Sequence, residues 1–269
     1  MLIAQITDLH LTRAGKLAYG VVDTGALLER AVARLAALEP RPDLVLVTGD
    51  LTYDGGEDEY ARLLALMAPL PVPWLAIPGN HDRRQPMRAA LPKANCPTGD
   101  GPPGRLCWAV EDLPVRILAL DTLVEGQSGG EVGPAQLAWL EAKLAAAPGR
   151  PALVLMHHPP VPTGIGHMDR IACSDAAALG ALVARHPQLE RVLCGHVHRP
   201  IQWRWNGTLV SAAPSVAHQV RLDLRPGAPS GFDLEPPAFH LHLWLEGTGL
   251  VTHHAYVAAA PGPYPFRDA

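Results

Sequence analysis

Five short segments of this chain combine aspartate, asparagine and histidine at spacings that suit metal binding. They are Asp8-Leu9-His10, Gly49-Asp50, Gly79-Asn80-His81-Asp82, His157-His158 and Gly195-His196-Val197-His198. Imidazole nitrogens and carboxylate oxygens are ligands that hard or borderline divalent cations take in proteins. Residues i and i+2 of an extended segment point to the same side. Asp8 with His10, and His196 with His198, therefore each offer two donors to one ion.

Each segment follows a short apolar run that predicts a β-strand. These runs cover 2–7, 43–48, 72–77, 152–156 and 191–194. Because strand ends of one sheet converge on one edge, we expect the five segments to meet at a single site. There the carboxylate of Asp50 has two oxygens with which to bridge two ions. Asn80 offers a neutral oxygen and His157 a nitrogen.

A histidine or a glycine-aspartate pair at a strand end is, taken alone, usually a loop or turn residue. Five such segments, all at predicted strand ends, argue against that explanation for the whole set. We interpret His158 as a neighbour that shapes its loop and Asp82 as a hydrogen-bonding partner that orients His81 or its loop. The histidines outside these segments are interpreted as sheet or loop residues; they include His167, His240, His242, His253 and His254.

The order of periodic segments predicts an α/β fold. Apolar residues recur at helical spacing over 26–38, with Asp23 or Thr24 as N-cap, and over 57–67. Further helices are predicted over 134–144 and from a Ser174 cap to His186. The segments 106–110 and 115–120 predict a hairpin. We expect one domain over 1–269, built from two packed sheets with helices outside.

Two parts of the chain depart from this alternation. Residues 83–105 are rich in glycine and proline, which predicts an inserted loop and a candidate lid over the site. After residue 200, strands are predicted without helices between them, at 201–205, 208–212, 239–245 and 250–257. We expect 201–269 to complete the second sheet and to offer a candidate oligomer interface. In 239–245 the leucines alternate with His240 and His242, which predicts one buried face and one wetter, histidine-bearing face.

Composition limits the classes of partner. The 269 residues carry a formal net charge of −4, which does not indicate a broad nucleic-acid surface. No apolar run approaches the roughly 18 residues that a membrane span needs. The four cysteines show no C-x-x-C spacing, so free thiols are favoured over a Cys96–Cys107 bridge. Since the first proposed ligand is already Asp8, a cleaved signal peptide would remove the site, and we expect a cytoplasmic protein.

The five segments, taken in order, resemble the signature of the calcineurin-like metallophosphoesterase superfamily. Within it, the chain is similar to the branch of class III cyclic nucleotide phosphodiesterases and bacterial glycerophosphodiesterases. The early first ligand, His157-His158-Pro159-Pro160, the segment around His218 and the late strand 239–244 carry that closer similarity. The resemblance implies a four-layer αββα sandwich of two mixed β-sheets with flanking helices.

The resemblance also implies roles for individual residues. One metal ion would be held by Asp8, His10, Asp50 and His198, and the other by Asp50, Asn80, His157 and His196. His81 would act on the phosphoryl oxygen or the leaving group. Asn80, His218, Tyr19 and Ser128 are further candidates for substrate contact.

The implied reaction is the hydrolysis of a small phosphodiester by a metal-bound hydroxide. With Asp8 and Asp50, two divalent ions leave a surplus of about +2, which the hydroxide reduces to about +1, matching the single charge of a diester. The mixed nitrogen and oxygen ligands leave iron, manganese, zinc and cobalt open. The substrate would be a cyclic nucleotide such as cAMP or a glycerophosphodiester, and the protein a homodimer or larger homo-oligomer.

Two alternatives stay open at this point. The same metal centre could serve a phosphomonoesterase, a phosphoprotein phosphatase or a nuclease, for which Arg13, Arg83, Arg84 and Arg199 would supply positive charge. The fold could also serve as a non-catalytic scaffold. Loss of metal ligands would be the mark of a scaffold, and the sequence retains every one of them.

Overall fold

The computed structural model describes residues 1–266, which contain six helices and thirteen strands. The helices are α1 (Thr24–Ala36), α2 (Glu57–Met67), α3 (Arg84–Ala90), α4 (Pro134–Ala145), α5 (Gly166–Asp169) and α6 (Ala176–Val183). The strands before residue 200 are β1 (Leu2–Ile6), β2 (Leu44–Thr48), β3 (Trp74–Ile77), β4 (Trp108–Val110), β5 (Arg116–Ala119), β6 (Ala152–Leu155) and β7 (Leu189–Cys194). The later strands are β8 (Ile201–Trp205), β9 (Thr208–Ala212), β10 (Gln219–Val220), β11 (Phe232–Asp233), β12 (Ala238–Leu245) and β13 (Gly249–Tyr256).

Two mixed sheets form the centre of the fold. The first has the strand order β13-β12-β1-β2-β3, with β1, β2 and β3 parallel. The second has the order β4-β5-β6-β7-β9-β8, in which β5, β6, β7 and β9 are parallel. The predicted hairpin is confirmed, because β4 pairs antiparallel with β5. Parallel strands covered on both faces explain the continuous apolar runs of the sequence.

Two apolar clusters bind the layers together. One joins α1 and α2 to the first sheet and continues to the inner face of the second sheet at Ile117, Leu155 and Leu193. The other joins α4 and α6 to the outer face of the second sheet. The order of layers is therefore helix, sheet, sheet, helix, as expected from the resemblance. No helix in residues 1–266 has the length and apolarity to cross a membrane.

The late strands divide between the two sheets. β8 and β9 extend the second sheet, whereas β12 pairs antiparallel with β1 and carries β13 at the edge of the first sheet. The expectation that 201–269 completes the second sheet alone is therefore wrong for 238–256. Residues 267–269 lie outside the described part of the chain.

The histidine-bearing face of β12 is buried, contrary to the sequence expectation. His240 and His242 are 2% and 0% exposed, whereas Leu245 is 40% exposed. They point between the sheets, where His242 bonds to Gln5 of β1. Alternation along a strand shows which residues share a face, but the second sheet that covers this face is remote in sequence.

Segment 83–105 is not an irregular loop throughout. It begins with α3 and then runs beside β3, where the carbonyl of Asn95 accepts a hydrogen bond from Ala76 N–H at 2.8 Å. Leu91 and Cys96 are buried in the main apolar cluster. The segment thus lies along the sheet edge, a position that does not support a lid over the site. The thiols of Cys96 and Cys107 are free, as are those of Cys173 and Cys194.

The starts of α1 and α6 can be compared with the N-caps predicted from the sequence. Asp23 is the N-cap of α1, because its side chain accepts the N–H of Ala26 at 3.0 Å. Helix α6 begins at Ala176, after Asp175, and ends at Val183, so the predicted Ser174 cap and the extension to His186 are wrong. The carboxylate of Asp175 instead accepts the N–H groups of Val132 and Gly133, which ties the helix start to another loop.

Candidate metal centre and substrate cavity

The five polar segments meet at one edge of the two-sheet core. They follow the C-terminal ends of β1, β2 and β3 in the first sheet and of β6 and β7 in the second. All seven predicted metal ligands come together there. The first sheet supplies Asp8, His10, Asp50 and Asn80, and the second supplies His157, His196 and His198. The site therefore spans the boundary between the sheets.

The backbone at this edge is unusual. Seven non-glycine residues in the described chain have positive φ, and five of them are predicted ligands: Asp8, His10, Asp50, His196 and His198. A sixth, Tyr19, is a predicted substrate contact. Left-handed conformations of ordinary residues cost free energy and cluster at functional sites, where the surrounding structure holds them. Here they turn each side chain sharply away from its strand and into a common space.

One half of the centre is formed by Asp8, His10, Asp50 and His198. The Nε2 atoms of His10 and His198 are 3.0 Å apart. Asp8 Oδ1 is 3.4 Å from the Nε2 atom of His198. Asp50 Oδ2 is 3.5 Å from His10 Nε2. Donor atoms this close to one another surround a space that suits one cation.

The other half adjoins it through the same carboxylate oxygen. Asp50 Oδ2 is 3.4 Å from His157 Nε2. Asn80 Oδ1 is 3.2 Å from His157 Nε2 and 3.0 Å from His196 Nδ1. Asp50 thus stands between two groups of donors, the arrangement required of a bridging ligand.

The donor atoms fit a pair of cations chemically. The Nδ1–H of His157 donates to the carbonyl of Thr48, and that of His198 to the carbonyl of His218, both at 2.8 Å. These bonds direct Nε2 of both rings into the centre. Burial lowers the pKa of His157, but the carboxylates of Asp50 and Asp8 raise it to about 9, so a cation would replace the proton on its Nε2. Burial lowers the pKa of His198 to about 4, so that imidazole is neutral. Burial opposes the ionisation of Asp50, but His157 and His81 hold the pKa of its carboxyl well below the usual value.

Space at the centre depends on glycine. A Cβ atom on Gly79 would lie 2.2 Å from Asp50 Oδ1 and 2.8 Å from His157 Nε2. His157 Nε2 is one of the donor atoms described above, and Asp50 Oδ1 belongs to the carboxylate whose Oδ2 faces both halves of the centre. Any larger residue would therefore enter the space between the ligands, which explains the requirement for glycine before Asn80.

Asp82 fastens the loops beneath the centre. One carboxylate oxygen accepts the N–H groups of Leu51 and Gly79, and the other accepts the N–H and hydroxyl of Thr52 and the phenol of Tyr60. These bonds tie the loop after β2 to the loop after β3. Asp82 thus holds the segment that carries His81, as its position in the sequence predicts.

His81 faces the cavity beside the centre. Its N–H donates to Asp50 Oδ1 at 2.8 Å, and its Nδ1–H donates to the carbonyl of Tyr53 at 2.9 Å. Nε2 is therefore the ring atom left for a substrate. Burial lowers the pKa of His81, but the carboxylate of Asp50 outweighs that effect and the net shift is upward.

His158 lies against the centre but is engaged elsewhere. Its ring nitrogens bond to Thr122 Oγ1 at 2.8 Å and to the carbonyl of Ser128 at 3.2 Å. Burial lowers its pKa to about 3, so it is neutral and the bond to Ser128 is donated by Nε2–H. It therefore shapes the loop that brings Ser128 to the cavity. One of its ring nitrogens nevertheless lies within 4.8 Å of a ring nitrogen of His157 and of His196.

A family model described as calcineurin-like phosphoesterase matches residues 1–200, which include every predicted ligand. The chain belongs to this family. A probable glycerophosphodiester phosphodiesterase from Arcobacter nitrofigilis is 38% identical over 269 residues, covering 100% of this chain and 97% of that protein. The 3′,5′-cyclic adenosine monophosphate phosphodiesterase of Escherichia coli K12 is 34% identical over 219 residues, covering 81% and 77%.

A solved structure supports the fold independently. A dimetal phosphatase from Danio rerio superposes with a TM-score of 0.68 at 16% identity, covering 96% of this chain and 99% of that chain. At that identity the likeness concerns the fold, which is the two-sheet sandwich of calcineurin-like phosphoesterases.

The phosphoesterase site opens into a cavity of about 370 Å³. The predicted contacts Tyr19, Asn80, His81, Ser128 and His218 all line it. Tyr19 and His218 pack edge to face, with ring centroids 5.2 Å apart. The structure thus brings the predicted substrate contacts to the same space as the metal ligands.

Several residues of the cavity carry no signal in the sequence. Phe232 packs against Tyr19 at 4.9 Å between ring centroids and against His218 at 5.0 Å. Met168, Ile171 and Val220 add apolar surface. His167, interpreted from the sequence as a sheet or loop residue, lies in α5 and also lines the cavity. These residues lie in loops and short elements whose positions depend on tertiary contacts, and no spacing rule identifies them.

Proposed function

We propose that this chain is a phosphodiesterase that uses two divalent cations to hydrolyse small phosphodiesters. Asp8, His10, Asp50 and His198 would hold one cation, and Asp50, Asn80, His157 and His196 the other. The mixed nitrogen and oxygen donors are compatible with iron, manganese, zinc or cobalt. When bound, such a pair of cations lowers the pKa of water and neutralises charge on the phosphoryl group.

The lack of positively charged side chains on the cavity wall favours a phosphodiester over a phosphomonoester as the substrate. Among residues 1–266, no lysine or arginine lines the cavity. Two of the arginines that could serve a dianionic monoester are already paired. Arg84 bonds to Asp121 at 2.6 Å, and Arg199 bonds to Glu235 at 3.0 Å. A wall without added positive charge suits the single negative charge of a phosphodiester better than the two charges of a monoester.

The chain's own side chains would then orient the substrate and handle its leaving group. Asn80 and His81 adjoin the centre from the same loop, where they would contact the non-bridging phosphoryl oxygens. His81 presents Nε2 to the cavity because Nδ1–H is bonded to the Tyr53 carbonyl. From there it would donate a proton or a hydrogen bond to the departing alkoxide.

Glycerophosphodiesters are the favoured substrate class. The relative named for that activity matches the whole chain, at 38% identity. The hydroxyl of Ser128 would supply a polar contact for a glycerol moiety at the cavity wall.

Cyclic nucleotides are the second candidate, and one feature favours them. Tyr19, His218 and Phe232 form an aromatic corner, with ring centroids 4.9 to 5.2 Å apart, against which a base could stack. Substituting Phe232 by alanine would separate the classes. If bases use this corner, KM should rise more for a cyclic nucleotide than for glycerophosphoethanolamine.

The test compares metal-depleted protein with protein reconstituted with manganese, zinc, cobalt or iron. Substrates are glycerophosphoethanolamine, cAMP, 2′,3′-cyclic AMP and p-nitrophenyl phosphate. We expect metal-dependent hydrolysis of diesters with kcat/KM well above that for the monoester. Absence of metal-dependent turnover, or preference for the monoester, would refute the proposal.

We also propose a homodimer in which the edge strand β13 contributes to the interface. β13 pairs with β12 on one side, and its other side faces no strand within the described chain. Light scattering of the purified protein measures the oligomeric state, and a monomer at micromolar concentration would contradict the proposal. The cytoplasmic location stays a prediction of the sequence.

A further inference from the structure

The buried histidines of β12 take no direct part in the proposed reaction, yet one of them is connected to the metal centre. Arg191 of β7 donates to Thr252 Oγ1 of β13. Thr252 Oγ1 is 2.8 Å from His242 Nδ1, and His242 Nε2 is 3.0 Å from Gln5 Oε1. The amide nitrogen of Gln5 donates to Thr48 Oγ1 at 2.9 Å and to the carbonyl of Cys194 at 3.0 Å.

In this series of hydrogen bonds, each group donates to the next, from Arg191 through Thr252, His242 and Gln5. A guanidinium only donates, so Thr252 accepts from Arg191 and has its own hydroxyl proton left for His242 Nδ1. His242 then carries its proton on Nε2 and donates it to the Gln5 carbonyl oxygen. A backbone carbonyl only accepts, which fixes the amide of Gln5 with its NH2 group toward Cys194. Thr252, His242 and Gln5 therefore each have partners of the correct type.

Gln5 links two of the five strands that precede metal ligands. Thr48 is the last residue of β2, two positions before Asp50. Cys194 is the last residue of β7, two positions before His196. Because β2 lies in the first sheet and β7 in the second, the amide of Gln5 fixes the separation of the sheets where they share the centre. That amide is fully buried, so water does not compete for its hydrogen bonds.

Thr48 extends the connection to a ligand. Its carbonyl accepts the Nδ1–H of His157 at 2.8 Å and the hydroxyl of Thr7 at 3.2 Å. The first bond aims His157 Nε2 at Asp50 and Asn80. A shift of the Thr48 peptide would therefore rotate the imidazole of His157 away from the donors that it faces.

We propose that Gln5, held by His242, is a positioning residue for the metal centre. It sets the ends of β2 and β7, and through the Thr48 carbonyl it sets the orientation of His157. This inference rests on the proposed two-cation site. Partners that orient metal ligands indirectly typically change metal affinity by about 10- to 100-fold when removed.

The experiment compares Gln5→Met with Gln136→Met. Methionine keeps the length of glutamine and removes its hydrogen bonds. Gln136 is the matched control, because its side chain is likewise buried and hydrogen-bonded, donating to the carbonyls of Asp121 and Val132. It lies in α4, on the outer side of the second sheet. We expect manganese affinity to fall about tenfold in Gln5→Met and to stay unchanged in Gln136→Met, although both variants lose thermal stability.

A second readout needs neither metal nor turnover. In metal-free protein with 15N-labelled histidine, the Nδ1–H signal of His157, identified by its loss in His157→Ala, reports the bond to Thr48. We expect it to shift and to exchange faster with water in Gln5→Met alone. A folded Gln5→Met protein with wild-type manganese affinity and an unchanged His157 signal would overturn the positioning role. Wild-type protein that binds no manganese would instead overturn the proposed function.

If Gln5→Met does not fold, a further pair of variants tests the positioning role of Gln5. Thr48→Val removes the hydroxyl that accepts from Gln5 but keeps the side-chain shape, whereas Thr48→Ser keeps the hydroxyl. We expect weaker manganese binding and an altered His157 signal in the valine variant, with recovery toward wild type in the serine variant. Equal behaviour of the two would overturn the inference.

Discussion

The Nε2 atoms of His10 and His198 lie 3.0 Å apart in the buried floor of the cavity. Burial lowers the pKa of both rings, well below the ordinary value for His10 and to about 4 for His198, so both are neutral at physiological pH. The Nδ1–H of His198 donates to the carbonyl of His218, so the Nε2 lone pair of His198 is directed toward His10. A cation held by both rings, as in the proposed centre, would account for the close approach of two residues 188 positions apart.

His198→Ala should remove one of the two cations. Loss of one nitrogen from a four-donor set weakens that half of the centre, while Asp50, Asn80, His157 and His196 stay in place. We expect the metal content, measured by inductively coupled plasma mass spectrometry, to fall from about two ions per chain to about one. His253→Ala is the matched control, because His253 is exposed on β13, and its metal content should equal that of wild type. Retention of two tightly bound ions by His198→Ala would contradict the assignment.

His81→Ala should affect substrates according to their leaving group. The departing alkoxide of glycerophosphoethanolamine needs a proton, whereas the p-nitrophenolate of bis(p-nitrophenyl) phosphate leaves readily without one. We expect kcat to fall by about 100-fold or more for the first and by less than about tenfold for the second. Steady-state kinetics on both substrates provide the measurement. Equal losses would exclude His81 as the proton donor and leave it a role in contacting the phosphoryl oxygens.

Gly79→Ala should destroy the centre by steric conflict. Its Cβ would lie 2.2 Å from Asp50 Oδ1, so the carboxylate must move out of its bridging position. We expect manganese affinity to fall by at least about 100-fold and the free energy of unfolding to drop by roughly 2 kcal/mol. Gly149→Ala is the control, since a Cβ there meets nothing within 4 Å, and its effect on unfolding should stay within about 0.5 kcal/mol. Normal metal binding by Gly79→Ala would contradict the prediction, because it would show that the loop after β3 moves enough to accommodate the added methyl group.

The buried His240 should make the unfolding free energy depend on pH. Burial, together with His254 of β13 and Arg191 of β7, lowers its pKa from 6.5 to about 4. His242 of the same strand also faces it, at 5.8 Å between ring centroids. Because the unfolded chain binds the proton more readily, stability is complete above pH 6.5 and falls as the pH drops toward 4. The slope for this group is about 1.4 kcal/mol per pH unit.

The effect is isolated by comparing wild type with His240→Asn in urea titrations at pH 7, 6 and 5 without metal. The variant should lose less stability than wild type on acidification, by about 1 kcal/mol between pH 6 and 5. His253→Asn, an exposed site on the neighbouring strand, should follow wild type. Parallel pH profiles for His240→Asn and wild type would show that His240 is already protonated or accessible in the folded protein.

The sequence alone determined the chemistry of the centre and the alternation of its main elements. Asp8, Asp50, Asn80, His157 and the His196–His198 pair are recognisable because each follows an apolar run, and strand ends of one sheet lie along one edge. The runs themselves are local patterns of period two or continuous burial, which neighbouring residues dictate. Family membership follows from the same short segments.

Only the tertiary structure decided that β12 joins the first sheet, with β13 at its edge, and which face of β12 is covered. Both depend on pairing across more than two hundred residues, such as Leu2 with Leu243, and no local pattern encodes that register. The same holds for Phe232 and His167, which reach the cavity because loops fold over it. The left-handed backbone at five ligands is likewise a product of packing. Non-glycine residues adopt it only where surrounding contacts compensate its cost.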